Sequence, residues 1–254
     1  MRRCTRTEKR RFLSHVAETY GGTVESASFL GLLSENLVIG DPRSADTIIM
    51  AGYDTPKTRV MGCAFFPASS FLNGFLRVIS VLLPAGLCAV LTVALSLPVL
   101  VGELTCLILL FGMNLLVPNK FNMNCNGSGL CAMFDILERR GTSRTCYVLL
   151  DNSDIASLGK RAFIKTYDGS ARIIELYCVG MGDTVCVSYG RDAALPGGSA
   201  VPVPKRGLLG YRVSVADGSG GTPVIGGIKT AKDNRIDENA VLNVENYIEK
   251  ELIK

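Results

Sequence analysis

One stretch limits what this chain can fold into more than any other. From Val78 to Asn119 the only charged residue is Glu103, and "VISVLLPAGLCAVLTVALSLPVLVG" runs almost directly into "LTCLILLFGMNLLV". About 20 apolar residues cross a bilayer, so the run is too long for one span and fits two helices. Pro98 and Gly102 break it near its middle, which places a turn around Ser96 to Gly102. The expectation is a transmembrane helical hairpin over residues 71–117; a pair of buried core helices is the alternative, but core helices usually keep a polar stripe. Arg59, Arg77 and Lys120 flank the run on the side where the chain enters and leaves, so the charge bias predicts a multi-pass membrane protein whose globular part faces the cytoplasm.

The rest of the chain, 1–70 and 118–254, reads as one interrupted domain. "TRTEKRRFLSHVAETY" has helical spacing at Phe12, Val16 and Tyr20 and stops at Gly21-Gly22. Two β-rich runs follow, "ENLVIGD" and "ADTIIMAGYD", with a proline turn between them. After the apolar run come a helix at "GLCAMFDILERR", a strand at "RTCYVLLDN", a helix at "DIASLGKRAFIKTY" and strands at "ARIIELYCVG" and "TVCVSYG". Asp237 caps a closing helix, "DENAVLNVENYIEKELIK". Residues 191–227 are rich in Gly and Pro and give no clear element. The alternation predicts a three-layer α/β sandwich around a mixed β-sheet, with the hairpin inserted into it.

Charge is uneven. Residues 1–11 hold six Arg or Lys against one Glu, although the whole chain carries only +4. Such a start could rest on anionic lipid, which makes membrane lipid an expected partner, or it could be a solvated first helical turn. No further basic stripe with interleaved aromatics follows, so nucleic acid is not expected as a partner. The nine cysteines are scattered without CxxC spacing and read mostly as small buried hydrophobes rather than a disulfide framework.

Six fragments in order, "ENLVIGDP", "TIIMAGYDTP", "NCNGSGLCAMFDIL", "YVLLDNSDIASLGKRAF", "LYCVGMGD" and "IKTAKDN", resemble the di-zinc aminopeptidases of metallopeptidase family 28. The resemblance implies a zinc-exopeptidase-like fold, and some bacterial members carry a membrane insert where the apolar run lies here. It also implies a site of two zinc ions held by two histidines and carboxylates, with a glutamate as general base for the metal-bound water. Carried over by position, the first histidine falls on Gly52, ahead of Tyr53 and Asp54, and the bridging aspartate on Cys125. The general base falls on Ser153 and its neighbouring ligand on Asp154, a further aspartate ligand on Tyr177, and the last histidine on Lys229.

The chain contains a single histidine, His15, in the first helix, so no alignment can supply two imidazoles. Zinc, expected for the family, is therefore not expected as a cofactor here, and no residue is assigned a catalytic or metal-binding role. The reading is a membrane-anchored, non-catalytic relative of the aminopeptidases whose former cleft takes a peptide or protein partner, or which supports an assembly. The alternative is a hydrolase with a remodelled site. Cys125, Cys178 and Asp154 could hold one zinc, or Cys125 could act as a nucleophile activated by Lys229. Lys229 could equally do no more than neutralise Asp54 or Asp154.

Overall fold

The computed structural model describes residues 5–29, 32–55, 64–67, 69–96, 98–115, 123–153, 157–191, 193–205, 207–218, 222–226 and 233–253. The first helix, α1 (Arg6–Tyr20), starts at a capping box in which the Thr5 hydroxyl accepts from Glu8 N–H and the Glu8 carboxylate accepts from Thr5 N–H. It stops where Gly21 takes a positive φ of 76°. The strands are β1 (Thr23–Phe29), β2 (Leu32–Ile39), β3 (Thr47–Gly52), β4 (Thr145–Leu150), β5 (Arg172–Leu176), β6 (Thr184–Tyr189), β7 (Val201–Pro204) and β8 (Tyr211–Ala216). They form one sheet in the order β1-β2-β4-β3-β5-β8-β6-β7. The centre is parallel, from β4 through β3 and β5 to β8, and antiparallel pairs flank it.

Successive side chains of a strand point to opposite faces, and the core follows that rule. Ile49 and Ala51 of β3, Tyr147 and Leu149 of β4, and Ile174 and Leu176 of β5 pack under α1, α4 (Ser128–Arg140) and α6 (Glu238–Tyr247). Ile48 and Met50, Cys146 and Val148, and Ile173 face the other way, against Phe163 of α5 (Leu158–Thr166). Every residue of β3 and β4 is buried, as expected for parallel strands covered on both sides. The predicted three-layer arrangement is thus the observed one. The Gly/Pro-rich region that gave no element contains two of the strands, and β8 lies inside the sheet between β5 and β6.

The apolar run forms α2 (Ser70–Ala94) and α3 (Val99–Leu115), which pack on each other, with Gly102 of α3 buried against Thr92 of α2. The membrane reading is corrected here. Among the described residues no helix is long and apolar enough to cross a membrane. At ~1.5 Å per residue, α3 falls short of the ~30 Å hydrocarbon core. The opening of α2 is tied to the globular body, because the Asn73 amide donates to the Phe66 and Ser69 carbonyls and accepts from Phe66 N–H. The multi-pass placement and cytoplasm-facing orientation fall with the span.

Part of the basic start makes ion pairs with the sheet. Arg6 and Arg10 of α1 both reach the Glu35 carboxylate of β2, and Lys9 reaches Asp151 just beyond β4. Half of the six basic residues are therefore spent on fixing α1 to the sheet.

Candidate functional site

The parallel register brings the ends of three strands together. Gly52, the last residue of β3, pairs with Leu150, the last of β4, and Ala51 pairs with Leu176, the last of β5. In parallel α/β sheets ligand sites form beyond these carboxyl ends. Tyr53 leaves β3 with its N–H on the Leu150 carbonyl, its ring fully buried against Phe12 and its hydroxyl donating to the Glu35 carbonyl. That anchoring aims Asp54 at the residues that follow β4.

Asp54 is buried and satisfied. Its Oδ1 accepts from Ser153 N–H at 3.1 Å and from the Ser153 hydroxyl at 2.5 Å. Asn126 donates its side-chain amide to the Asp54 carbonyl at 2.5 Å and to Ser153 Oγ at 3.2 Å. Burial raises the Asp54 pKa, with the Ser153 hydrogen bond and the charge of Lys9 opposing. A Cβ built on Gly52 would stand 2.7 Å from Ser153 Oγ and 2.8 Å from Ser153 Cβ. The space an imidazole would need at position 52 is filled by the Asp54–Ser153–Asn126 cluster.

Cys125 lies in a π-helical turn, Met123–Gly127, that leads into α4. It is disulfide-bonded to Cys178, whose backbone takes a left-handed φ of 53° just past β5. Main-chain and side-chain hydrogen bonds reinforce the link: Cys178 N–H donates to the Cys125 carbonyl, Val179 N–H to Ser128 Oγ, and Gly180 N–H to Asn124 Oδ1. Asn124 N–H in turn donates to the buried Asp233 carboxylate at 2.6 Å. This corrects two expectations. Cys125 and Cys178 are cross-linked rather than free small hydrophobes, and with both sulfurs in one bond neither the thiolate nucleophile at Cys125 nor the Cys125/Cys178 ligand pair exists in this structure.

Tyr177, half-buried, turns its ring edge-on to Phe65 at 5.5 Å and lies 5.4 Å from the Arg212 guanidinium. Asp154 and Lys229 lie outside the described residues. His15 is an exposed residue of α1. The structure therefore brings Gly52, Asp54 and Ser153 into direct contact and joins Cys125 to the loop that carries Tyr177. Sequence reading missed Asn126 as the bridge between Asp54 and Ser153, and it missed the Cys125–Cys178 bond. Adjacency of Asn126 to Cys125 was a usable signal for the first; for the second, nine scattered cysteines offered none.

Among the described residues the donor set does not suit a pair of zinc ions. Such a centre needs carboxylates and imidazoles with open lone pairs. Here position 52 has no side chain and no room for one, the sulfur of Cys125 is in a disulfide, and the described carboxylate, Asp54, is hydrogen-bonded to a serine. Among the described residues no group of three or more His, Cys, Asp or Glu is placed to hold a metal.

A cavity of about 830 Å³ has Asn124, the neighbour of Cys125 in the chain, on its wall. Asp183, Asp217 and Asp237 line it together with Arg235, and Ile225 adds apolar surface. Its size falls within the ~300–1,000 Å³ of small-ligand sites.

The fold is that of the zinc-dependent exopeptidases. The chain is similar to a Zn-dependent exopeptidase from Parabacteroides distasonis, at 13% identity and a TM-score of 0.55, over 97% of this chain and 90% of that one. It is also similar to the glutaminyl cyclase of Porphyromonas gingivalis, at 12% identity and a TM-score of 0.52, again over 97% and 90% of the two chains. No family profile and no curated protein matches the sequence itself.

Proposed function

We propose that this chain is a non-catalytic member of the zinc-exopeptidase-like fold, which binds a peptide or protein segment in the cleft where its structural relatives carry their chemistry. One observation supports the reading: Ser153 and Asn126, held on Asp54, fill the space beside Gly52, the position to which the resemblance assigns the first ligand. Hydrolysis of a peptide bond needs an activated nucleophile and a group to stabilise the oxyanion. A serine donating to a buried carboxyl, with the chain's single imidazole, His15, exposed on α1, supplies neither. The fold alone does not choose an activity, since exopeptidase and glutaminyl cyclase chemistry both occur on it. The cavity lined by Asp183, Asp217 and Asp237 supports the binding half of the proposal, because its aspartates suit a ligand with an amino group or a basic side chain.

The test is elemental analysis of the purified chain after dialysis, paired with an aminoacyl-substrate assay with and without chelator. The expected result is no stoichiometric zinc and no chelator-sensitive turnover. Two equivalents of retained zinc, or activity lost to chelator and restored by zinc, would overturn the proposal.

A further inference from the structure

A second cavity, of about 530 Å³, lies on the α5 face of the sheet, and five basic side chains line it: Lys160, Arg161, Lys165, Lys205 and Arg212. Beneath it stands Glu175 of β5, fully enclosed. Lys160 Nζ donates to its Oε2 at 2.6 Å, and Arg212 donates through Nε and Nη2 at 2.9 Å each. Two cations, the buried Lys160 and the half-buried Arg212, thus share one carboxylate, which leaves the floor with a net positive charge. No acidic residue is among those that line the cavity walls. Burying a cation is costly unless an anion accompanies it, so a surplus here is what a site for an anionic ligand requires.

The walls are built, not loose. Lys205 N–H donates to the Tyr189 carbonyl, and Gly190 N–H to the Gly210 carbonyl, which ties the 205–210 loop to the end of β6. Gly210 holds φ of +70° where a Cβ would strike the Ile173 carbonyl, so the loop can approach β5 this closely only with glycine there. Lys205 Nζ lies 5.8 Å from the centre of the Phe65 ring, Phe65 meets Tyr177, and Tyr177 meets Arg212, which closes one side. Ile164, Leu208 and Leu209 give the cavity an apolar portion.

We propose that this cavity is a binding site for a small organic anion, one that carries a phosphate or a pair of carboxylates on an apolar body. Lys160 and Arg212 meet the charged group at the floor and Lys165 meets it at the rim. Arg161 and Lys205 have contacts of their own and serve as walls. Glu175 acts as a positioning residue: it holds the two floor cations in place while offsetting only one of them. The Glu175 carboxyl stays ionised, because Arg212 and Lys160 together bring its pKa to about 2 against the strong opposing effect of burial.

The experiment is calorimetric titration of the full chain with phenyl phosphate, phthalate and phenol at low ionic strength. Saturable one-site binding of phenyl phosphate or phthalate, with none for phenol, is expected, and the stronger of the two identifies the anion class. Lys165→Glu, at an exposed position, should weaken binding by about tenfold or more, since it reverses a charge at the rim. Glu175→Gln should tighten it by exposing the ligand to both floor cations. If that variant does not fold, Lys165→Glu alone decides. Absence of saturation with both anions, or equal affinity in Lys165→Glu and the parent chain, would overturn the proposal.

Discussion

Gly52 shows how one missing side chain is held in place by its neighbours. Restoring an imidazole with Gly52→His would force a Cβ against Ser153, and overpacking of this kind costs about 1–3 kcal/mol. Urea denaturation should show that loss, and the double variant Gly52→His/Ser153→Gly should recover about 1 kcal/mol of it, because the two positions are in contact. Equal losses in the single and double variants would show that Ser153 is not the obstacle. Two carboxyl groups nearby respond to pH in opposite senses. The Arg10 hydrogen bond, helped by Arg6 and opposed by burial, brings Glu35 from 4.5 to about 2. Its folded value is below its unfolded one, so its stabilisation is present above pH 4.5 and fades as pH falls towards 2. Glu35→Gln should therefore flatten the acid limb of the stability curve. Burial raises Asp54 instead, so its contribution is present at low pH and is lost as pH rises through its folded value. Asp54→Asn should gain on the parent chain between acid and neutral pH in the same denaturation series.

At the scale of elements, two attachments keep the site closed. The first is the Cys125–Cys178 disulfide, which joins the turn before α4 to the loop after β5 across 53 residues of chain. By loop-closure entropy a link of that span contributes about 4 kcal/mol. The double variant Cys125→Ser/Cys178→Ser should lower the denaturation midpoint accordingly, and addition of reductant should have no further effect on it. The second is α1, which crosses the sheet ends and places Lys9 against Asp151. Asp151 also accepts from Glu35 N–H of β2 and from Asn152 N–H in its own turn, so it is held from two elements at once. Lys9→Met would leave that buried carboxylate without its cation, a change that costs about 3–5 kcal/mol. Thermal unfolding of Lys9→Met beside Arg11→Met, an exposed neighbour on the same helix, separates this effect from loss of helix propensity.

Across the whole molecule, the α2–α3 pair packs chiefly on itself and presents exposed apolar side chains, among them Phe71, Leu82, Val90 and Leu100. The body on either side is closed without it. Phe65 and Ile225 bond to each other through their main chains just before α2, and Met123 N–H donates to the Asp233 carbonyl after α3. Replacing residues 70–115 with a short flexible linker should leave the sheet and the Asp54–Ser153–Asn126 cluster intact. Near-ultraviolet dichroism and hydrogen exchange at β3 and β4 should match those of the full chain. A collapse of protection in those strands would show that the helices support the core. Aggregation should decrease, because large contiguous apolar surface is removed.

Much of the architecture was legible because it is written in local, periodic signals. The apolar runs of β3 and β4, the capping residue Asp237 and the helical spacing in α1 report neighbours close in sequence, and these elements stand as read. The loss of the histidines was also plain, since composition needs no fold. β8 escaped because glycine-rich flanks hide a strand whose partners, β5 and β6, are remote in the chain. Hydropathy counted the residues of the apolar run but did not show that, among the described residues, no helix it forms is long and apolar enough to cross a membrane. At the site, sequence named Gly52, Cys125 and Ser153 as departures without saying what replaced them. Only the tertiary structure decided that, by placing Ser153 and Asn126 on Asp54, Cys178 on Cys125, and Lys160 with Arg212 on Glu175. Each of those contacts joins residues far apart in the chain, and their energies depend on distance and burial, which a linear sequence does not contain.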